Sequence, residues 1–211
     1  KYVCIPNGVV VSEWENPAPL PEIHKNFFEE HKGQFIVGYF GGHALSNALD
    51  ILLDVAKRIN DSQISFLLVG DGVEKKNLLK RKEEEKLDQV HFLPAVSKAS
   101  IPELLKSIDC IYIGGANSPL YQFGLCPNKL FDSMMAGKPI IFAFTAPETA
   151  VEQYNCGLRI NSGDTEGIVH SIKDIKELSL EQRSVLGANG KKAVLEHFTY
   201  KKLTKNFEAL F

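Results

Sequence analysis

Apolar residues along this chain come in short, nearly unbroken runs rather than in strict alternation. FIVGYF (35–40), ISFLLVG (64–70), VHFL (90–93), CIYIGG (110–115), PIIFAF (139–144) and GLRI (157–160) are rich in β-branched and aromatic residues, as strands are. Between most of them, apolar positions recur every three or four residues over 46–59, around 75–86, and over 101–108 and 128–136, the period of a helix packed on one face. The last stretch of about fifty residues reads as helices only. Strands apolar on both sides, alternating with helices, belong to a parallel sheet covered on both faces. The pattern therefore predicts an α/β domain, a Rossmann-like doubly wound parallel sheet of about six strands with a helical C-terminal end. Four of the ten prolines precede Phe35. That segment reads as an extended lead-in, so the chain divides into 1–34, a lead-in belonging to the domain opening, and 35–211, the sheet domain.

Composition narrows the classes. At 211 residues and 44% hydrophobic, the chain can bury a full core. A net charge of −2 argues against nucleic acid as a partner. The run KRKEEEK (80–86) reads as a solvated helix face laced with ion pairs. Cys4, Cys110, Cys126 and Cys156 are far apart, without metal-ligand spacing, and read as reduced thiols of a cytoplasmic protein. No apolar run approaches the length of a membrane span and no signal peptide opens the chain. The abrupt start at Lys1 suggests a piece of something longer.

In such a sheet, ligands collect where strands end, against helix N-termini. The loops to read together are GYFGGHALSN (38–47), GDG (70–72), PAVSKAS (94–100) and GGANSPLYQFGLCPNK (114–129). Glycines there let a ligand approach backbone N–H groups closely, although tight strand-to-helix turns use glycine anyway. The helix opened by Pro127 is the most pointed feature. Proline at the first helical position loses nothing, and the N–H groups of Asn128, Lys129 and Leu130 would then point outward. Lys129 adds a cation at any pH below about 10, and Asp132 follows at the spacing that shares a face with Asn128 and Lys129. A diphosphate over the helix end and a ribose diol on Asp132 would satisfy the set. A carboxylate favouring the helix dipole beside a solvated lysine explains it equally well.

Three segments carry a family resemblance. VCIPNGVVVSEW (3–14), FLLVGDGVEKKNLLK (66–80) and GLCPNKLFDSMMAGKPII (124–141) resemble the C-terminal domain of family 4 retaining, nucleotide-sugar-dependent glycosyltransferases with the GT-B fold, and the closing FTYKKLTKNFEALF (198–211) resembles that family's terminal helix. The PNKLFD form is similar to bacterial transferases of capsule and O-antigen assembly. The resemblance implies one half of a GT-B fold that binds a UDP-hexose or UDP-N-acetylamino sugar. It would need neither cofactor nor metal, and no Asp-x-Asp motif occurs. Transfer to a lipid-linked or polysaccharide acceptor would use an N-terminal acceptor-binding domain absent from this chain, which alone would be inactive. Its location would be cytoplasmic, peripheral at the inner face of the membrane through the other half.

Carried over by residue, Asp132 stands at the second glutamate of the family signature and would hold the ribose hydroxyls. The first glutamate falls near Gly124 or Leu125 and is absent. Backbone groups from Leu125 through Cys126, Pro127 and Asn128 to Lys129 would substitute. The family's Arg and Lys after the first strand are missing too, leaving Gly42, His43 and Asn47 in that loop, with Lys129 and His43 as candidate cations for the leaving diphosphate. His43 would serve as a cation only near or below about pH 6.5, unless a bound diphosphate raised its pKa. Gly70 and Gly72 would keep the next loop open, with Lys75 or Lys76 at the following helix start, both expected to be solvated. Pro94 to Val96 would read the base through backbone groups. His24, His31, His91, His170 and His197 read as surface or packing residues, and Trp14 as a packing anchor. A nicotinamide dehydrogenase is disfavoured because GYFGGH lacks the Gly-x-Gly-x-x-Gly turn. A UDP-sugar 2-epimerase-like enzyme and a non-catalytic module that keeps only the fold stand as alternatives.

Overall fold

The structure, a computed structural model, describes residue 3 and residues 5–210. In chain order it comprises α1 (Ser12–Glu15), α2 (Glu22–Glu30), β1 (Phe35–Phe40), α3 (Leu49–Ile59), β2 (Ile64–Val69), α4 (Lys75–Glu84), β3 (Val90–Leu93), α5 (Ile101–Lys106), β4 (Cys110–Gly114), α6 (Asn128–Met135), β5 (Ile140–Ala143), α7 (Ala150–Gln153), β6 (Gly157–Ile160), α8 (Thr165–Glu177), α9 (Leu180–His197) and α10 (Tyr200–Glu208). All six strands are parallel, in the order β3-β2-β1-β4-β5-β6. This is the doubly wound sheet that the apolar runs predict.

Side-chain alternation sends each strand's residues to two cores. Phe35, Val37 and Tyr39 of β1 join Ile64, Phe66 and Leu68 beneath α3, α4 and α8. Ile36 and Phe40 join Leu67, Ile111, Ile113 and Phe142 beneath α5, α6 and α9. Burial on both faces makes the central strands read as continuous apolar runs. The edge strands β3 and β6 are only partly covered.

The segment before Phe35 differs from the extended lead-in expected. Two helices form there, and α2 starts directly after Pro21, a position where proline leaves no donor unmet. His24 and Phe27, three residues apart on α2, are buried together. Upstream, Val9 pairs with Thr199 ahead of α10, donating to Phe198 O (3.0 Å) and accepting from Tyr200 N (3.1 Å), so the first residues are stitched to the C-terminal helices. Among the described cysteines, Cys110 and Cys156 are buried and Cys126 is exposed, while Cys4 lies outside the described residues. Among the described residues no helix is long and apolar enough to cross a membrane.

Candidate functional site

Strand order reverses between β1 and β4. Connections leave these neighbours in opposite directions, which opens a crevice at their carboxyl ends, and α6 begins at its rim after the β4 loop. Pro127 is the residue before the first turn of α6 rather than its first member, with β-region angles. Leu130 N–H turns back onto Pro127 O at 3.0 Å and no side chain caps the helix. The outward amides are therefore those of Asn128 and Lys129, one fewer than expected. The Asn128 side chain accepts from Asn7 Nδ2 at 2.6 Å, and the Tyr200 hydroxyl donates to Asn7 Oδ1, lacing the helix start to the lead-in and to α10.

The Lys129 side chain reaches across to β1. Its Nζ donates to Tyr39 Oη at 2.8 Å and lies 4.2 Å from the centre of that ring. The Tyr39 hydroxyl in turn donates to Gly42 O at 2.6 Å, and the same carbonyl accepts from Asn47 Nδ2 at 2.8 Å. Asn47 thus braces the loop. Gly41, at φ +126°, makes room for the amine, since a Cβ there would lie 3.0 Å from Nζ. Among the described residues no carboxylate comes within ion-pair distance of Lys129. Burial pushes its pKa down from 10.5 to about 8. It therefore loses charge well below the pH expected of a solvated lysine. The sequence has no cation in the loop after β1, and α6 delivers one there.

Asp132 leaves α6 toward other neighbours. Burial pushes its carboxyl up to about 6, the Lys98 charge opposing and the Glu13 charge adding. Lys98, in the loop after β3, itself pairs with Glu13 of α1 at 3.2 Å. Asp132 faces the β3 loop and lead-in while Lys129 faces the β1 loop. The two side chains thus have different neighbours, the Lys98 and Glu13 charges for Asp132 and the Tyr39 hydroxyl for Lys129.

His43 departs furthest from expectation. It has no exposed surface, and neither ring nitrogen has a hydrogen-bond partner among the described residues. Burial, with the charges of Lys75 and Lys129, pushes its pKa down to about 4 against the pull of Asp71. At neutral pH the ring is an uncharged packing element against Phe92 and Tyr39. Its backbone carries the local structure, with His43 N–H donating to Asp71 O (2.8 Å) and Glu74 N–H to His43 O (2.9 Å). The β1 and β2 loops are so close that a Cβ on Gly70, at φ +153°, would sit 1.9 Å from Gly41 O. Lys75, expected in solvent, donates to Gly70 O at 2.7 Å, whereas Lys76 is exposed. Gly42 and Gly72 are exposed at the edge.

The Pro94 carbonyl, a candidate for reading the base, accepts from His24 Nε2 at 2.9 Å, a link from α2 that the sequence did not signal. Val96 and Leu125 are half-buried against the core, and Cys126 and Asn128 are exposed. Cavities of about 640 and 420 Å³ open elsewhere, around Phe35, Gln63 and Asp109 and around Ile64 and Gln89, at the amino ends of the strands. These two cavities thus lie at the edge of the sheet opposite the loops after β1, β2 and β4. Among the described residues no group of three or more His, Cys, Asp or Glu could hold a metal ion.

The family model described as "Glycosyl transferases group 1" matches residues 22–193. An uncharacterized glycosyltransferase of Methanocaldococcus jannaschii is 23% identical over 206 residues, 97% of this chain and 50% of its own. A protein of Escherichia coli K12 named for colanic acid biosynthesis glycosyl transfer is 29% identical over 140 residues, 64% of this chain and 33% of its own. The chain thus spans half or less of these relatives. Among solved structures, Anabaena HepE in complex with UDP and glucose superposes with a TM-score of 0.74 at 18% identity, covering 96% of this chain and 55% of that one.

Proposed function

The chain belongs to the glycosyl transferases group 1 family, and from that premise we propose that it is the donor-binding half of a GT-B glycosyltransferase. The transfer would move a sugar, with retention, from a UDP-hexose or UDP-N-acetylamino sugar to a lipid-linked or polysaccharide acceptor. The observation that carries this reading is the Lys129 ammonium, unpaired with any described carboxylate, held where the loops after β1 and β4 part. A departing diphosphate gathers negative charge as the glycosidic bond breaks. The outward amides of α6 and the Lys129 cation would meet that charge at a preorganised helix end. Asp132, beside the loop after β3, would accept from the ribose diol. Backbone groups of Gly42, Gly70, Gly72, Val96 and Leu125 to Pro127 would line the rest. The UDP and glucose bound to the Anabaena neighbour support a uridine donor, and the colanic acid relative supports polysaccharide assembly.

The first signature glutamate is absent, so backbone groups of Leu125 to Lys129 would hold the hexose. Acceptor binding would fall to a further domain, a division supported by relatives about twice this chain's length. Isolated, this half would be inactive, and the reaction would be metal-independent and cytoplasmic, at the inner face of the membrane. Calorimetry with UDP and uridine tests the reading. The chain should bind UDP in the micromolar to millimolar range and prefer it to uridine, and Lys129→Ala should abolish the preference. Full preference in Lys129→Ala would remove the helix end as the phosphate site.

A further inference from the structure

The hydrogen bond and the ring contact of the Lys129 amine both come from one side chain, at the strand end of the GYFGGHALSN (38–47) loop. Tyr39 is the penultimate residue of β1, has no exposed surface, and lies within a run that reads as core. Its hydroxyl has one proton, and that proton is committed to Gly42 O at 2.6 Å. Toward Lys129, 2.8 Å away, it can therefore act only as an acceptor. The ring meanwhile faces the ammonium at 4.2 Å from its centre, a second attraction for a cation and none for a neutral amine. Burial pushes the phenol pKa up, so the group stays neutral and leaves the lysine charge uncompensated. A carboxylate in its place would anchor the lysine equally well and cancel the charge.

We propose that Tyr39 is a positioning residue that holds the Lys129 ammonium, charged and unpaired, at the crevice between β1 and β4 to receive the donor's diphosphate. The inference rests on the reading of the helix end as the phosphate site, and adds to it the group that keeps the cation there. Two neighbours complete the device. Gly41 leaves room for the amine, since a Cβ there would lie 3.0 Å from Nζ, and Asn47 shares the Gly42 carbonyl at 2.8 Å, so the loop stays braced when the phenol is removed. The phenol thereby joins the first strand's loop to the helix that begins after the fourth.

Tyr39→Phe tests this, because it keeps ring and volume and deletes the acceptor. Uridine affinity should be unchanged, while the preference for UDP over uridine should fall at least about fivefold. The pH at which that preference is lost should also move down, because the charged amine loses a stabilising partner while its burial remains. A purely structural role would lower thermal stability without moving that midpoint. If Lys129→Ala loses the preference and Tyr39→Phe matches the wild type in both preference and midpoint, the Tyr39 inference is overturned and the phosphate site stands. If Lys129→Ala keeps the preference, the site itself fails. Should Tyr39→Phe not fold, ammonium-proton exchange of ¹⁵N-labelled lysine in the wild-type chain decides. Ammonium protons of Lys129 that exchange as fast as those of solvated lysines overturn the proposal, and slowed exchange, as for an ammonium held by a fixed acceptor, upholds it.

Discussion

Replacing Asp132 by asparagine keeps the side chain's shape and removes a half-buried negative charge. Burial moves its pKa from 3.8 to about 6. That shift is about two units, and each unit corresponds to about 1.4 kcal/mol, so ionised Asp132 opposes folding by up to about 3 kcal/mol. Residual exposure and the desolvation of the amide itself reduce the gain from Asp132→Asn to about 1–2 kcal/mol. The sign follows from the folded pKa lying above the unfolded one. The native state binds the proton more tightly, so the penalty is full above about pH 6, falls to roughly half near pH 5, and vanishes below the unfolded pKa. Urea denaturation of wild type and Asp132→Asn should therefore show the variant more stable near neutral pH, with the gap closing in acid. UDP affinity should move the other way. Asp132→Ala should lose roughly 1.5–3 kcal/mol and Asp132→Asn less, because the amide oxygen still accepts. The loss should be smaller for 2′-deoxy-UDP than for UDP. Equal stability of Asp132→Asn and wild type at neutral pH would refute the burial argument. Unchanged UDP affinity in Asp132→Ala would show the carboxylate to be only a helix-start charge.

Other outcomes follow from the same geometry. Because Lys129 is charged only below about pH 8, the wild-type preference for UDP over uridine should decline through that pH, and a preference constant to pH 10 would contradict its burial. His43→Phe should leave UDP affinity unchanged at both pH 6 and pH 8, against the acid-dependent role its loop suggested, and calorimetry at the two pH values checks this. Since the folded His43 pKa lies near 4, below the unfolded 6.5, wild-type stability should drop as pH falls between those values while His43→Phe loses less, as read by thermal melts. Gly70→Ala should cost at least about 2 kcal/mol in urea unfolding, because the added carbon meets Gly41 O on backbone strained for an L-residue.

The sequence by itself determined the architecture. Six apolar runs matched six strands to within a residue or two, because strands buried on both faces must be apolar at every position. The helix period likewise located α3 to α6, although four prolines concealed α1 and α2 in the lead-in. Pro127 and the Gly-Lys-Pro after Ala136 marked where α6 begins and ends. Local sequence also marked the chemistry-bearing residues Lys129, Asp132 and His43. Only the tertiary structure decided what each can do, since pKa values and partners are set by groups distant in the chain. Lys129 meets Tyr39, ninety residues earlier in sequence, and Asp132 senses Lys98 and Glu13. The His43 ring is sealed beneath two packed loops. Tyr39 itself was unreadable, because a tyrosine inside an apolar strand looks like core until the hydroxyl's neighbours are known. Burial and proximity are properties of the folded chain, and they turned one marked residue into packing and an unmarked one into the anchor of the candidate site.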